Sequence, residues 1–142
     1  MGYFAGDWTI DGDLKENPLG LRGKISGVEH NEWMRGGFFL ISHIDQKGPM
    51  GEAAQLTVMG YDSEEKTYTY VAFSSTGAAE FAKGKFSNGT WTWTSENKIA
   101  GDPTKSRFTV NQRSPTTFTF KYEMAPEGGD WSTVIVGKAA KR

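Results

Sequence analysis

Short runs rich in β-branched and aromatic residues recur along this chain at intervals of about ten residues, each closed by a Gly, Pro, Asn or Asp turn signal. That spacing belongs to antiparallel sandwiches and barrels, and helical periodicity is hard to find beside it. The runs predict strands at 4–13, 22–34, 38–46, 53–61, 67–75, 79–87, 90–95, 105–112, 116–124 and 131–138. So many short strands crowd a single flat sheet, whereas an up-and-down barrel leaves no sticky edge. The prediction is an all-β chain, residues 1–142 forming a single antiparallel up-and-down β-barrel of eight to ten strands.

Turn chemistry sets several registers. Asn88-Gly89 is the preferred pair for a two-residue type I′ hairpin, which puts Ser87 opposite Thr90, Phe86 opposite Trp91 and Gly84 opposite Trp93. An aromatic ring over a strand glycine is a stabilising device, so Trp93 has structural work whatever else it does. The same reasoning around Gly128-Gly129 pairs Tyr122 with Ile135 and Phe120 with Gly137. Asp62 opens a four-residue loop that pairs Gly60 with Thr69, Val58 with Val71 and Leu56 with Phe73 on one face, and Tyr61 with Tyr68 and Met59 with Tyr70 on the other. Both faces are apolar, so the pattern leaves open which one points inward.

Composition narrows the partners. The chain has 142 residues, a formal net charge of −1 and interspersed Lys, Arg, Asp and Glu, so it carries no basic stripe for nucleic acid. No apolar run approaches the roughly 20 residues of a membrane span. The opening "MGYFAGDWTI" lacks a basic start and an apolar signal core, which makes the cytoplasm the default location, or the periplasm or exterior if a signal peptide has been removed. There is no cysteine, hence no disulfide, thiolate metal site or Cys nucleophile. Oligomeric state is left open.

The densest aromatic set is Trp91, Trp93, Phe118, Phe120 and Tyr122. Inward positions of a small barrel either fill the interior or line a cavity, and a ten-strand barrel leaves more room than one of eight. The predicted cavity wall is Leu56, Val58, Val71, Phe73, Trp91, Trp93, Phe118, Phe120 and Tyr122, with His43 as the polar group, and the predicted occupant is a small apolar or aromatic molecule. Two other readings stand beside this one. The first is a small barrel enzyme of cyclase, isomerase or lyase type using His30, His43 or a tyrosine as acid or base. The second is a structural or partner-binding barrel with a filled core.

A hairpin at Gly36-Gly37 sets His30 against His43 with Glu32 on the same face, a trio able to bind metal or move protons, though two histidines on a strand pair are more often ordinary surface or core residues. "GKISG" at 23–27 lies in a strand pattern, not the strand-to-helix turn of a serine nucleophile, and Asn88-Gly89-Thr90 is explained by its hairpin without glycosylation. No phosphate loop, helical zinc motif or acidic calcium loop is present, so no metal or cofactor is assigned. The spacing of Asp7, Glu29, Asp45 and Glu80 marks no catalytic pair, and solvated faces and turns are the expected places for them.

Gly6-Asp7-Trp8 resembles the G-x-W signature of lipocalins and other calycin-like barrels. That resemblance implies an indole closing the barrel base under a basic residue from the C-terminus, here Lys138 or Arg142. The ordered set Gly36-Gly37-Phe38-Phe39-Leu40, Gly60-Tyr61-Asp62, Ser75-x-Gly77, Gly84, Ser114-Pro115-Thr116 and Gly128-Gly129-Asp130-Trp131 extends the likeness. With Gly6-x-Trp8 it is similar to the bacterial family catalogued as domain of unknown function 1579, from about residue 4 to 140. The resemblance implies a calycin-like barrel and no particular activity.

Overall fold

Asn88 and Gly89 take φ of 49° and 78°, the two left-handed residues of a type I′ turn. The hairpin they close pairs Ser87 with Thr90, Phe86 with Trp91 and Gly84 with Trp93, the register the sequence predicts. This computed structural model describes residues 1–15, 21–99 and 101–142, residue 99 by its backbone alone. Among the described residues there are ten strands: β1 (Gly6–Leu14), β2 (Gly23–Trp33), β3 (Leu40–Gly48), β4 (Gly51–Asp62), β5 (Thr67–Ser74), β6 (Ala79–Ser87), β7 (Thr90–Ile99), β8 (Asp102–Ser114), β9 (Thr117–Pro126) and β10 (Ser132–Lys141). Each is antiparallel to its neighbours in sequence, and β10 closes onto β1 from Trp8↔Lys141 to Leu14↔Ile135. The result is a closed up-and-down barrel of the lipocalin-like kind. No helix among the described residues is long and apolar enough to cross a membrane.

The other predicted pairings are present as well, although around Gly128-Gly129 the connection runs over 127–131 in place of a two-residue turn and the predicted pairing begins only beyond a bulge between Thr133 and Ile135. Tyr122 faces Ile135 and Phe120 faces Gly137. Val58 faces Val71, Met59 faces Tyr70, and His30 faces His43. A Cβ added at Gly84 would overlap the Trp93 indole, so glycine is what lets the ring lie on the strand. Phe120 likewise covers Gly12 and Gly137, which face each other across β1 and β10.

One end of the barrel is filled. The 3₁₀ turn Gly2–Phe4 precedes β1 and folds across that end. Trp8 Nε1 and Asn31 Nδ2 both donate to the Phe4 carbonyl, at 2.9 and 2.7 Å. The Tyr3 hydroxyl reaches the carbonyls of Ser114 and Thr117 at the β8–β9 turn. Phe4, Trp8, Trp91 and Phe118 make the plug, Trp8 being fully buried. The cation over Trp8 is Lys141, its Nζ 5.4 Å from the ring, and neither Lys138 nor Arg142 as the lipocalin resemblance implied. Strand alternation gives the reason: Lys141 pairs directly with Trp8 and shares the face of buried Ala139, while Lys138 and Arg142 point the other way, the latter to Asp7.

Part of the predicted wall lies outside the barrel. Leu56, Val58, Val71 and Phe73 occupy the outer face of β4 and β5, and Phe73 is 47% exposed. Their neighbours Gln55, Thr57, Met59 and Tyr70 point inward instead. The outer residues form cross-strand rows, Ile41–Val58–Val71–Phe81 and His43–Leu56–Phe73–Ala79, so an apolar row marks the outside here. His43 is exposed in the second row and reaches no interior group.

Candidate functional site: an interior cavity

Above the plug the barrel is hollow. A cavity of about 310 Å³ has Phe4, Val110 and Phe118 toward the plug and Trp93, Tyr70, Phe108, Phe120 and Tyr122 among its walls. Alternation along each strand delivers these side chains inward, and the glycine at 84 gives the Trp93 ring its room. Trp91 lies below, stacked on Trp93 at 5.9 Å with 6° between planes and packed against Tyr68 and Phe4.

The polar lining is concentrated in two neighbouring inward rows. One runs Glu80–Ala72–Thr57–Ser42 across β6, β5, β4 and β3. The other runs Glu29–Ile44–Gln55 across β2, β3 and β4. Glu80 accepts a hydrogen bond from Ser95 Oγ at 2.7 Å. That bond spans a gap, because β6 and β7 pair only from Ser87↔Thr90 to Lys83↔Thr94 and part beyond it. The Tyr122 hydroxyl donates to Ser106 Oγ at 3.1 Å, and Gln55 Nε2 donates to the Tyr70 oxygen at 3.3 Å.

Burial dominates the electrostatics. It pushes the Glu29 carboxyl above its ordinary range, with Asn31 offsetting the rise in part. The Tyr70 phenol is driven far up, first by burial and then by the charges of Glu29 and Glu80. Tyr122 is raised by burial, which its bond to Ser106 counters. No Lys, Arg or His is among the described residues lining the cavity. Such a pocket can receive hydrogen-bond donors and apolar rings, and its lining gives an anion no cationic side chain.

The structure thus gathers Trp93, Phe118, Phe120 and Tyr122 of the predicted wall, sets Trp91 beneath them, and puts Leu56, Val58, Val71, Phe73 and His43 outside. Sequence reasoning missed Glu29, Glu80, Tyr70 and Phe108, expecting the two carboxylates on solvated faces. A signal existed in the registers: Gly84 faces both Trp93 and Tyr68, so Tyr68, and with it Tyr70, shares the inward face of Trp93. His30 and Glu32 lie on the outer surface with His43, where His30 Nδ1 sits 2.7 Å from Asp7 and Nε2 3.6 Å from Glu32. Among the described residues no group of three or more His, Cys, Asp or Glu is arranged to hold a metal ion.

A family model described as protein of unknown function (DUF1579) matches residues 1–141. No curated protein sequence is significantly similar to this one. Among solved structures, the chain is similar to the S-type phycobiliprotein lyase CPES from Guillardia theta, with a TM-score of 0.68 at 9% identity, covering 99% of this chain and 89% of that one. A redesigned β-barrel, mFAP1, bound to DFHBI aligns with a TM-score of 0.41 at 16% identity, covering 98% and 95%. The lyase shares the barrel fold.

Proposed function

The chain belongs to the DUF1579 family of proteins of unknown function, and we propose that it binds a small, largely apolar or aromatic molecule inside its barrel. The observation that carries this reading is the hollow, aromatic-walled upper half above a solid plug. A barrel needing only stability would fill that space, since close packing gains dispersion contacts that a void forfeits. Burial of apolar ligand surface would supply most of the affinity at about 25 cal/mol per Å², with Gln55, Tyr70, Glu29 and Glu80 fixing orientation.

Calorimetric titration with 1-naphthylmethanol tests it. Saturable binding at one site, weakened by Trp93→Ala and unchanged by Phe73→Ser on the outer face, is expected. Absence of binding by this and other small aromatic probes, together with no small molecule retained in native mass spectra of protein from its own host, overturns the reading. An enzymatic role for the same cavity would rest on Glu29 and Tyr70, whose proton affinities are shifted, and not on His30 or His43 outside it. Turnover lost in Glu29→Gln would favour it.

A further inference from the structure

Two carboxylates face a cavity that offers them no cation. Glu29 on β2 and Glu80 on β6 sit in neighbouring inward rows, and both are near enough to Tyr70 on β5 for their charges to act on its phenol. Glu80 has Ser95 as partner, and the polar side chain acting on Glu29 is Asn31, whose amide nitrogen is itself bonded to the Phe4 carbonyl; both are uncharged. No Lys, Arg or His is among the described residues that line the cavity with them. Burying an ionised carboxylate without a counter-charge is unfavourable, and Glu29 carries that penalty in its inward position. A second, independent observation is the wall: the rings of Trp93, Tyr70, Phe108 and Phe120 surround the same volume, and aromatic faces attract cations where water is excluded. Carboxylates and aromatic faces have one ligand chemistry in common.

Building on the ligand-binding reading above, we propose that the occupant is a small organic cation, an aromatic or alicyclic amine whose ammonium group is held by Glu29 and Glu80 while its hydrocarbon body packs on Trp93 and Phe120. The wall disfavours carboxylate-bearing ligands such as fatty acids. Their charge would meet Glu29 and Glu80 with no basic residue to receive it. An inorganic cation fits poorly, because no described cluster supplies three or more ligating side chains. The site therefore selects on charge sign through two side chains and on hydrocarbon bulk through the rings.

Three probes sharing one skeleton separate this inference from the reading beneath it. Calorimetry near neutral pH with 1-naphthylmethylammonium, 1-naphthylmethanol and 1-naphthoate is expected to rank the ammonium about tenfold tighter than the alcohol, equivalent to about 1.4 kcal/mol, with the naphthoate weakest. Glu29→Gln and Glu80→Gln should each narrow the ammonium's advantage over the alcohol, Phe73→Ser on the outer face should leave the ranking of all three probes as it is, and thermal melts establish that each variant folds. If the alcohol binds but the ammonium is no tighter, or the naphthoate is tightest, the cation inference falls and the ligand-binding reading stands. An advantage unchanged in both variants and in the double variant also overturns it. Failure of all three probes to bind, with no small molecule retained in native mass spectra, overturns both. Should one variant not fold, the other and the wild-type ranking still decide.

Discussion

Trp93 lies on Gly84 across the β6–β7 hairpin so closely that a Cβ at position 84 would enter the indole. The same ring walls the cavity, which ties the fold's register to the site's shape. Gly84→Ala should therefore displace the ring, costing about 1–3 kcal/mol of stability as an overpacked position does, and weaken probe binding as well. In the double variant Gly84→Ala with Trp93→Ala, the alanine at 84 should cost little beyond the loss of the indole, a coupling that urea unfolding of the cycle measures. Additive costs would show that the ring does not depend on the glycine.

Glu29 gives the clearest mark of a group kept at the expense of stability. Its folded-state pKa is raised by burial, so between the ordinary carboxylate range and the raised value the folded protein holds a proton that the unfolded chain has lost. Stability contributed by this group is complete below the ordinary range and falls as pH rises through that window. Glu29→Gln removes the fall: it should melt with the parent in acid and above it near neutrality. A parent that melts higher than the variant near neutral pH would contradict the assignment.

Why the sequence disclosed the barrel but only half the site has a physical answer. Asn88-Gly89 announces a hairpin through its backbone preference and Asp62 through its side-chain bonds to the next amides, and a hairpin turn fixes register locally. Which face is inside is a tertiary property. In β4 and β5 the outer residues Leu56, Val58, Val71 and Phe73 are as apolar as many core residues, while the inner face includes Gln55 and Thr57. Hydrophobic alternation therefore points the wrong way wherever a polar-lined cavity inverts it. Glu29 and Glu80 escaped for the same reason, since a charge in a strand ordinarily marks the solvent side.

The two faces separate in experiment. Phe73→Ser removes a half-exposed ring and should change stability by under about 1 kcal/mol, leaving probe binding unaltered. Phe120→Ala uncovers Gly12 and Gly137 and enlarges the cavity, at a cost of about 3 kcal/mol, the low end for such a change because one side of the ring already borders open space. Loss of binding in Phe73→Ser would put the site on the wrong side of the sheet.

Glu123 on β9 shows the opposite arrangement from Glu29. It is 6% exposed, yet Arg107 Nε bonds it at 3.0 Å and Lys121 stands 3.6 Å away. The Arg107 bond holds its carboxyl below the ordinary range, and the guanidinium also lies 4.2 Å from the Trp131 ring centre. Arg107→Ala should cost about 1–3 kcal/mol near neutrality, as loss of a charged hydrogen bond does. That difference should shrink as pH falls through the lowered pKa, because the carboxylate's contribution is present above the ordinary range and disappears once it protonates. A gap unchanged in acid would assign the loss to Trp131 packing alone.

On the outer surface His30 carries a pH response of the reverse sign. The bond His30 donates to Asp7 raises its pKa most, desolvation opposes this, and the charge of Asp7 and the bond and charge of Glu32 add to the rise. A histidine whose folded pKa is raised contributes stability that is complete below its ordinary value of about 6.5 and is lost as pH rises through the folded value. Asp7→Asn should bring the imidazole midpoint, followed by NMR, down toward the ordinary value, and Glu32→Gln should lower it less. Because Asp7, His30 and His43 all lie outside the barrel wall, neither change should alter the ranking of the three naphthalene probes. A shift in that ranking would show that the outer row communicates with the cavity, which the packing between them gives no reason to expect.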